Sequence, residues 1–117
     1  MKTITFIGNG KMALALAKGL AETHAIEVIT RSSEAAQRFE TALGKSITKT
    51  LYSEATIEGK TVLLCVKPQN LMEVSTQLKG KAFALYSVLA GVTLESLHAI
   101  NASHYCRAMP NLAAEVS

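Results

Sequence analysis

The chain has 117 residues, 49% of them hydrophobic, and its 12 Lys and Arg exceed its 9 Asp and Glu to give a formal net charge of +3. This size suits one globular domain with a single core. The basic residues are scattered and no apolar run approaches the roughly 18 residues of a membrane span, so we expect a cytoplasmic protein with neither a nucleic-acid partner nor a membrane segment.

The first two elements meet at a pair of glycines. Residues 3–7 form a compact run of β-branched and aromatic residues, and from Lys11 the apolar residues change to helical spacing, with Leu16 and Leu20 on one stripe. The segment between them, residues 8–10, reads Gly-Asn-Gly. This pattern predicts a strand, a tight turn and a helix.

The next elements repeat the alternation. Residues 26–30 predict a second strand, and Ser32 or Ser33 can cap the helix that follows and ends at Gly44. Residues 46–51 predict a third, weaker strand.

The second half of the chain continues in the same order. The run at 61–66 is almost wholly apolar, as in a strand covered on both faces, and Pro68 suits the first turn of the next helix. A strand at 83–89, a short helix capped by Thr93 and a last strand at 104–109 complete the prediction.

Strands that alternate with short helices predict right-handed crossovers and a parallel sheet. We therefore expect an α/β fold of the Rossmann type, a doubly wound sheet with helices on both faces and strand order 3-2-1-4-5-6. Residues 1–117 form one dinucleotide-binding domain in this interpretation.

The first turn reads Gly8-x-Gly10-x-x-Ala13. In a dinucleotide site the first glycine permits the tight turn, the second admits the pyrophosphate, and the small third residue lets the helix pack closely on its strand. Amides at the helix start then face the phosphates. A tight turn that binds nothing is the alternative. The predicted phosphate-binding residues are Gly8, Asn9, Gly10, Lys11 and Met12.

The second strand leads into Arg31 and Ser32, where an NAD-specific site usually has an acid. A guanidinium beside serine hydroxyls suits a 2′-phosphate. We therefore expect NADP as the cofactor, with NAD possible, and Arg31 and Ser32 as ligands. An ordinary solvated charge at Arg31 is the alternative.

Several segments in order resemble one enzyme family. The glycine turn, "TRSS", "LLCVKPQ", "SVLAGVTLESL" and "RAMPN" together resemble the N-terminal domain of pyrroline-5-carboxylate reductase, over about residues 2–111. The resemblance implies that the ends of the fourth and fifth strands and the segment "RAMPN" border the ribose and nicotinamide of the cofactor. The residues it adds to the site are Val66, Lys67, Pro68, Ala90, Gly91 and Asn111. Where the family often carries Asn before the fourth strand, this chain has Tyr52.

The resemblance also implies the reaction, which is NADPH-dependent reduction of the C=N bond of 1-pyrroline-5-carboxylate to proline. Such enzymes continue with further sheet strands and a helical domain that dimerises and supplies much of the substrate pocket. We therefore expect this chain to be an inactive fragment of a homo-oligomeric enzyme whose substrate is a small imine. The alternatives are another NADP-linked oxidoreductase, acting on F420 or a β-hydroxyacid, and a non-catalytic NADP-binding module.

No residue is an evident catalyst. The histidines lack a Ser, Cys or Asp partner at a telling spacing, and no His or Cys spacing indicates a metal site. Cys65 and Cys106 belong to apolar runs read as buried strands, placed two positions apart in the sheet. About 9–10 Å then separates them, so we expect free thiols.

Overall fold

The computed structural model describes residues 2–88 and 94–107. Its elements in chain order are β1 Thr3–Ile7, α1 Lys11–Leu20, β2 Ala25–Thr30, α2 Ser33–Leu43, β3 Thr48–Leu51, β4 Thr61–Leu64, α3 Leu71–Gln77, β5 Ala82–Ser87, α4 Leu94–Leu97 and β6 Ala102–Arg107. Short 3₁₀ turns at Tyr52–Glu54 and Pro68–Asn70 follow β3 and precede α3.

The strands form one six-stranded sheet in the order β3-β2-β1-β4-β5-β6, and every pairing is parallel. The predicted fold class and strand order are confirmed. β1 lies inside the sheet between β2 and β4, with Ile7 level with Ile29 and Leu64. The loop after β1 therefore opens at the middle of the carboxyl edge, where the crossover reverses direction.

Two apolar layers cover the sheet. On one face, α1 and α2 pack through Leu16 and Phe39 against Phe6. On the other, α3 and α4 pack through Val74 and Leu97. This arrangement explains why the central strands read as continuous apolar runs.

Several predicted boundaries shift by a few residues. The third strand begins at Thr48 rather than at 46, because the amide of Ile47 donates to Glu40 Oε2 at 2.9 Å instead of joining the sheet. The fourth ends at Leu64, and the fifth spans Ala82–Ser87. The last begins at Ala102, and its expected end at 108–109 lies outside the described residues.

The helix ends follow local chemistry. Ser32 is the cap of α2, since its Oγ accepts from the amide of Ala35 at 3.2 Å, and Gly44 ends that helix with a φ of +79°. Pro68 begins the 3₁₀ turn, and α3 proper begins at Leu71. The Thr93 cap predicted for the short helix lies outside the described residues.

Neither cysteine forms a disulfide, as predicted. The prediction that both lie in buried strands is wrong, because Cys65 follows the end of β4 and is partly buried, and Cys106 is exposed. Cys106 lies in β6, at the edge of the sheet, level with Tyr86 of β5. The ring of Phe83 in β5 is 56% exposed and meets the ring of His104 in β6 edge-on. An apolar stretch of sequence does not distinguish a covered strand from an edge strand.

One polar cluster is buried within the sheet. The carboxylate of Glu27 accepts from Thr5 Oγ1 at 2.8 Å, from Thr50 Oγ1 at 2.9 Å and from Lys60 Nζ at 2.9 Å. Burial raises the pKa of Glu27, but the hydrogen bonds and the charge of Lys60 outweigh it, and the pKa ends below its ordinary value. The cluster ties β1, β2, β3 and the start of β4 together through charge-assisted bonds.

Candidate functional site

The turn after β1 requires glycine at its first position. Gly8 has a φ of +102°, and a β-carbon there would lie 3.0 Å from the carbonyl oxygen of Cys65 and 3.1 Å from Cγ1 of Val66. The Gly8 amide donates to the carbonyl of Ile29 at 3.1 Å. The turn is therefore held against β2 and the end of β4 with no room for a side chain.

Gly10 has a different role. It is the extended N-cap residue of α1, it makes no side-chain cap bond, and a β-carbon there would meet nothing within 4 Å. The first intrahelical bond runs from the Leu14 amide to the carbonyl of Gly10 at 3.0 Å. The amides of Lys11 and Met12 have no intrahelical acceptor, and both residues are exposed at the start of α1. Unpaired amides at a helix N-terminus are suited to bind an anion.

A cleft of about 400 Å³ opens beside this turn at the carboxyl edge of the sheet. It runs from the glycine turn between the ends of β2 and β4. Its walls are residues 8–10 and 65–67, the side chains of Arg31, Ala35, Arg38 and Tyr52, and residues Asn70 and Val74. The lining is basic where β2 ends, and apolar near Val66 and Val74.

The structure gathers much of the predicted site in this cleft. Gly8, Asn9, Gly10, Arg31, Val66 and Lys67 all line it. Lys11, Met12 and Ser32 are exposed beside it and are not among its lining residues, and the Ser32 hydroxyl caps α2. The backbone of Pro68 lies in the adjoining 3₁₀ turn. Ala90, Gly91 and Asn111 lie outside the described residues. The roles of all these residues remain predictions.

The sequence matches the family described as "NADP oxidoreductase coenzyme F420-dependent" over residues 3–91. The chain belongs to this family. The match contains the glycine turn, both arginines of the cleft and the end of β4.

Several curated proteins similar to this chain share one name. The chain is 36% identical over 121 residues to the pyrroline-5-carboxylate reductase of Helicobacter pylori J99, covering 98% of this chain and 46% of that protein. It is 34% identical over 123 residues to the enzyme of that name from Haemophilus influenzae, covering 98% and 45%. The chain thus spans about half the length of these relatives.

A crystal structure of 1-pyrroline-5-carboxylate reductase from Streptococcus pyogenes superposes with a TM-score of 0.72 at 26% identity, covering 96% of this chain and 44% of that one. The predicted resemblance to the N-terminal part of pyrroline-5-carboxylate reductase is therefore confirmed.

Six residues that line the cleft were not predicted as site residues from the sequence, and they are Ala35, Arg38, Tyr52, Cys65, Asn70 and Val74. Arg38 and Tyr52 have the polar side chains of most interest among them. Arg38 lies one turn after Ala35 on α2, so both side chains face the cleft. That spacing from the Ser32 cap was a usable signal. Tyr52 lies in the turn after β3, where no local pattern marks it as part of the site. Burial raises its pKa to about 12, while nearby Arg31 lowers it and Glu73 raises it. Tyr52 therefore keeps a neutral phenol.

An ion pair lies at the rim of the cleft. Arg31 Nη2 is 3.4 Å from Glu73 Oε1, with side chains 63% and 54% exposed. Glu73 is in the first turn of α3, between the lining residues Asn70 and Val74. The pair therefore joins the end of β2 to α3, the helix after β4, next to residues that line the cleft.

Other kinds of site find no support in the part of the chain that the structure describes. Burial raises the pKa of the Cys65 thiol to about 12, so it is neither a ready nucleophile nor a ready acid. Among residues 2–88 and 94–107, no three His, Cys, Asp or Glu side chains are grouped to hold a metal ion. None of the helices described there is both long and apolar enough to cross a bilayer.

Proposed function

We propose that this chain is the NADP-binding part of an enzyme that reduces the C=N bond of 1-pyrroline-5-carboxylate to proline with NADPH. The observation that carries the proposal is the cleft itself, which joins the glycine turn of a central strand to Arg31 and Arg38. The choice of substrate is supported by similarity to the named reductases over nearly the whole chain.

The residues present suit a dinucleotide. The open space above Gly10 lets a pyrophosphate approach the amides of Lys11 and Met12, where the helix dipole favours negative charge. An adenosine 2′-phosphate would lie at the other end, between Arg31 and Arg38. Because arginine follows β2 where an NAD site usually has an acid, we propose NADP as the preferred cofactor.

The cofactor, when bound, supplies the hydride, and the chain's contribution is to bind and orient it. Val66 and Lys67 at the end of β4 would border its ribose and nicotinamide half. Tyr52 and Cys65 hold their protons tightly, so we assign neither of them the proton that the imine nitrogen needs.

We further propose that the remaining half of the relatives' length supplies further strands, most of the substrate pocket and the oligomer contacts. This part alone would then bind NADP and turn over no imine. Hydride transfer requires that the donor and the acceptor are held together in the correct geometry. A protein with only half of the pocket would bind the cofactor but would not orient the imine against it.

The cofactor proposal is tested by calorimetric titration of NADPH and NADH into the protein and its Arg31→Ala variant. Loss of a charge-assisted bond should weaken NADPH about tenfold or more and leave NADH nearly unchanged. Lys18→Ala is the matched control, since it removes one exposed cation from the far end of α1. Equal losses for both nucleotides in Arg31→Ala would contradict the proposal.

The substrate is tested with a protein of the relatives' full length. Oxidation of thioproline, a cyclic imino acid, with NADP⁺ as acceptor is expected. A second candidate is favoured by the family match over residues 3–91, and it is an F420-dependent NADP oxidoreductase. Reduction of F420 without thioproline oxidation would support that candidate. Nucleotide binding with neither reaction would indicate a non-catalytic module.

A further inference from the structure

The ion pair between Arg31 and Glu73 beside the cleft affects which nucleotide the site prefers. Arg31 follows β2, and Glu73 belongs to α3, the helix after β4. In the sheet, β1 lies between β2 and β4, and β1 leads into the glycine turn. Arg31 also lines the cleft. The guanidinium proposed to meet the 2′-phosphate is therefore already paired with a carboxylate of this chain.

Arg38 differs from Arg31 in this respect. It lines the same cleft, and no ion pair joins it to another residue within 2–88 and 94–107. Of these two arginines, Arg38 has no competing carboxylate among the described residues, whereas Arg31 is shared with Glu73. A phosphate that reaches Arg31 also brings its charge close to the Glu73 carboxylate.

The two nucleotides meet this arrangement differently. The 2′-phosphate of NADPH competes with Glu73 for the Arg31 guanidinium and is repelled by the Glu73 carboxylate, and both effects weaken binding. NADH has a ribose hydroxyl at that position, which donates hydrogen bonds to carboxylates in many NAD sites. Glu73 therefore supplies an acid near the proposed adenosine site. This acid comes from α3, whereas in NAD-specific sites it usually follows β2.

We propose that Glu73 is a specificity-determining residue of the nucleotide site, a counter-ion that competes with the 2′-phosphate for Arg31 and so narrows the preference for NADPH over NADH. This inference rests on the proposed function. In this proposal Glu73, which lies outside the glycine turn, determines the ratio of NADPH affinity to NADH affinity.

The test is titration of NADPH and NADH into the protein and its Glu73→Gln variant at low salt. We expect NADPH to bind about three- to tenfold more tightly in the variant and NADH to bind equally or more weakly. The gain should shrink as salt is raised, because both charges are exposed. Glu22→Gln is the matched control, since it removes the same charge from an exposed site just after α1.

An Arg31→Ala background separates competition from long-range repulsion. There the gain from Glu73→Gln should fall to less than half of its value in the parent protein, because the partner for which Glu73 competes is gone. An equal gain in both backgrounds, or an unchanged ratio of NADPH to NADH affinity, would overturn this inference while leaving the proposed function standing. Failure of the parent protein to bind either nucleotide would overturn both.

Discussion

The α-carbon of Gly8 faces the carbonyl oxygen of Cys65 so closely that a β-carbon would lie 3.0 Å from that oxygen. Gly8 belongs to the turn after β1, and Cys65 follows the end of β4, the neighbouring strand. Close approach of these two backbones shapes the floor of the cleft. It gives the first glycine a structural role that is separate from any ligand.

We therefore predict that Gly8→Ala destabilises the protein without any nucleotide present. The variant combines a φ of +102° with a backbone contact, which together should cost about 1–3 kcal/mol. Thermal unfolding followed by circular dichroism should show a melting temperature lower by roughly 4–12 °C. A variant as stable as the parent would show that the turn can relax around a side chain.

Gly10→Ala is expected to behave in the opposite way. A methyl group there meets nothing and the residue is in extended conformation, so the free energy of unfolding should change by less than about 1 kcal/mol. The methyl group would occupy the path of the pyrophosphate, and calorimetry should show both NADPH and NADH weakened tenfold or more. Unchanged affinity for both would remove the second glycine from the proposed site.

The buried cluster around Glu27 predicts a pH-dependent stability. Because its pKa is lowered by folding, Glu27 contributes stability that is fully present above its ordinary pKa near 4.5 and is lost as the pH falls through the lower folded value. Glu27→Gln should cost about 1–3 kcal/mol at pH 7, measured by urea unfolding. The difference from the parent should shrink as the pH approaches 3.

Glu40→Gln serves as the control for this experiment. Hydrogen bonds from Lys49 and from the Ile47 amide also lower the pKa of Glu40, so its contribution is lost in the same direction as the pH falls. It lies nearer the surface, where water screens the pair, and its effect should be smaller than that of Glu27. A Glu27 variant with the same acid sensitivity as the parent would contradict the role given to the cluster.

The two thiols should differ in reactivity. Cys106 is exposed at the edge strand, whereas burial raises the pKa of Cys65 to about 12 and leaves little thiolate. With a disulfide reagent at pH 8, the Cys65→Ser variant keeps only Cys106 and should react fast. The Cys106→Ser variant keeps only Cys65 and should react slowly. Because Cys65 lines the cleft, NADPH should slow it further. A fast, unprotected thiol in Cys106→Ser would contradict the placement of Cys65.

Much of this fold follows from local patterns. The change from β-branched residues to helical spacing around residues 8–10 predicts the strand, the turn and the helix correctly, because each depends on neighbours within a few positions. Alternating strands and helices with right-handed crossovers predict a doubly wound parallel sheet, and the observed order is that of the Rossmann fold. Shifts at strand ends, such as the start of β3, arise from bonds to distant side chains that periodicity does not encode.

The composition of the cleft depends on packing between segments far apart in the chain. Arg31, Tyr52 and Glu73 come from three different crossovers, and they meet because the sheet brings the ends of β2, β3 and β4 to one edge. Likewise, Glu27 meets Lys60 across 33 positions, and Cys106 is exposed because its strand forms the edge of the sheet. Backbone preferences depend on residues close in sequence, so the sequence alone predicts them. Charge pairing, burial and pKa values depend on residues that only the folded sheet brings together.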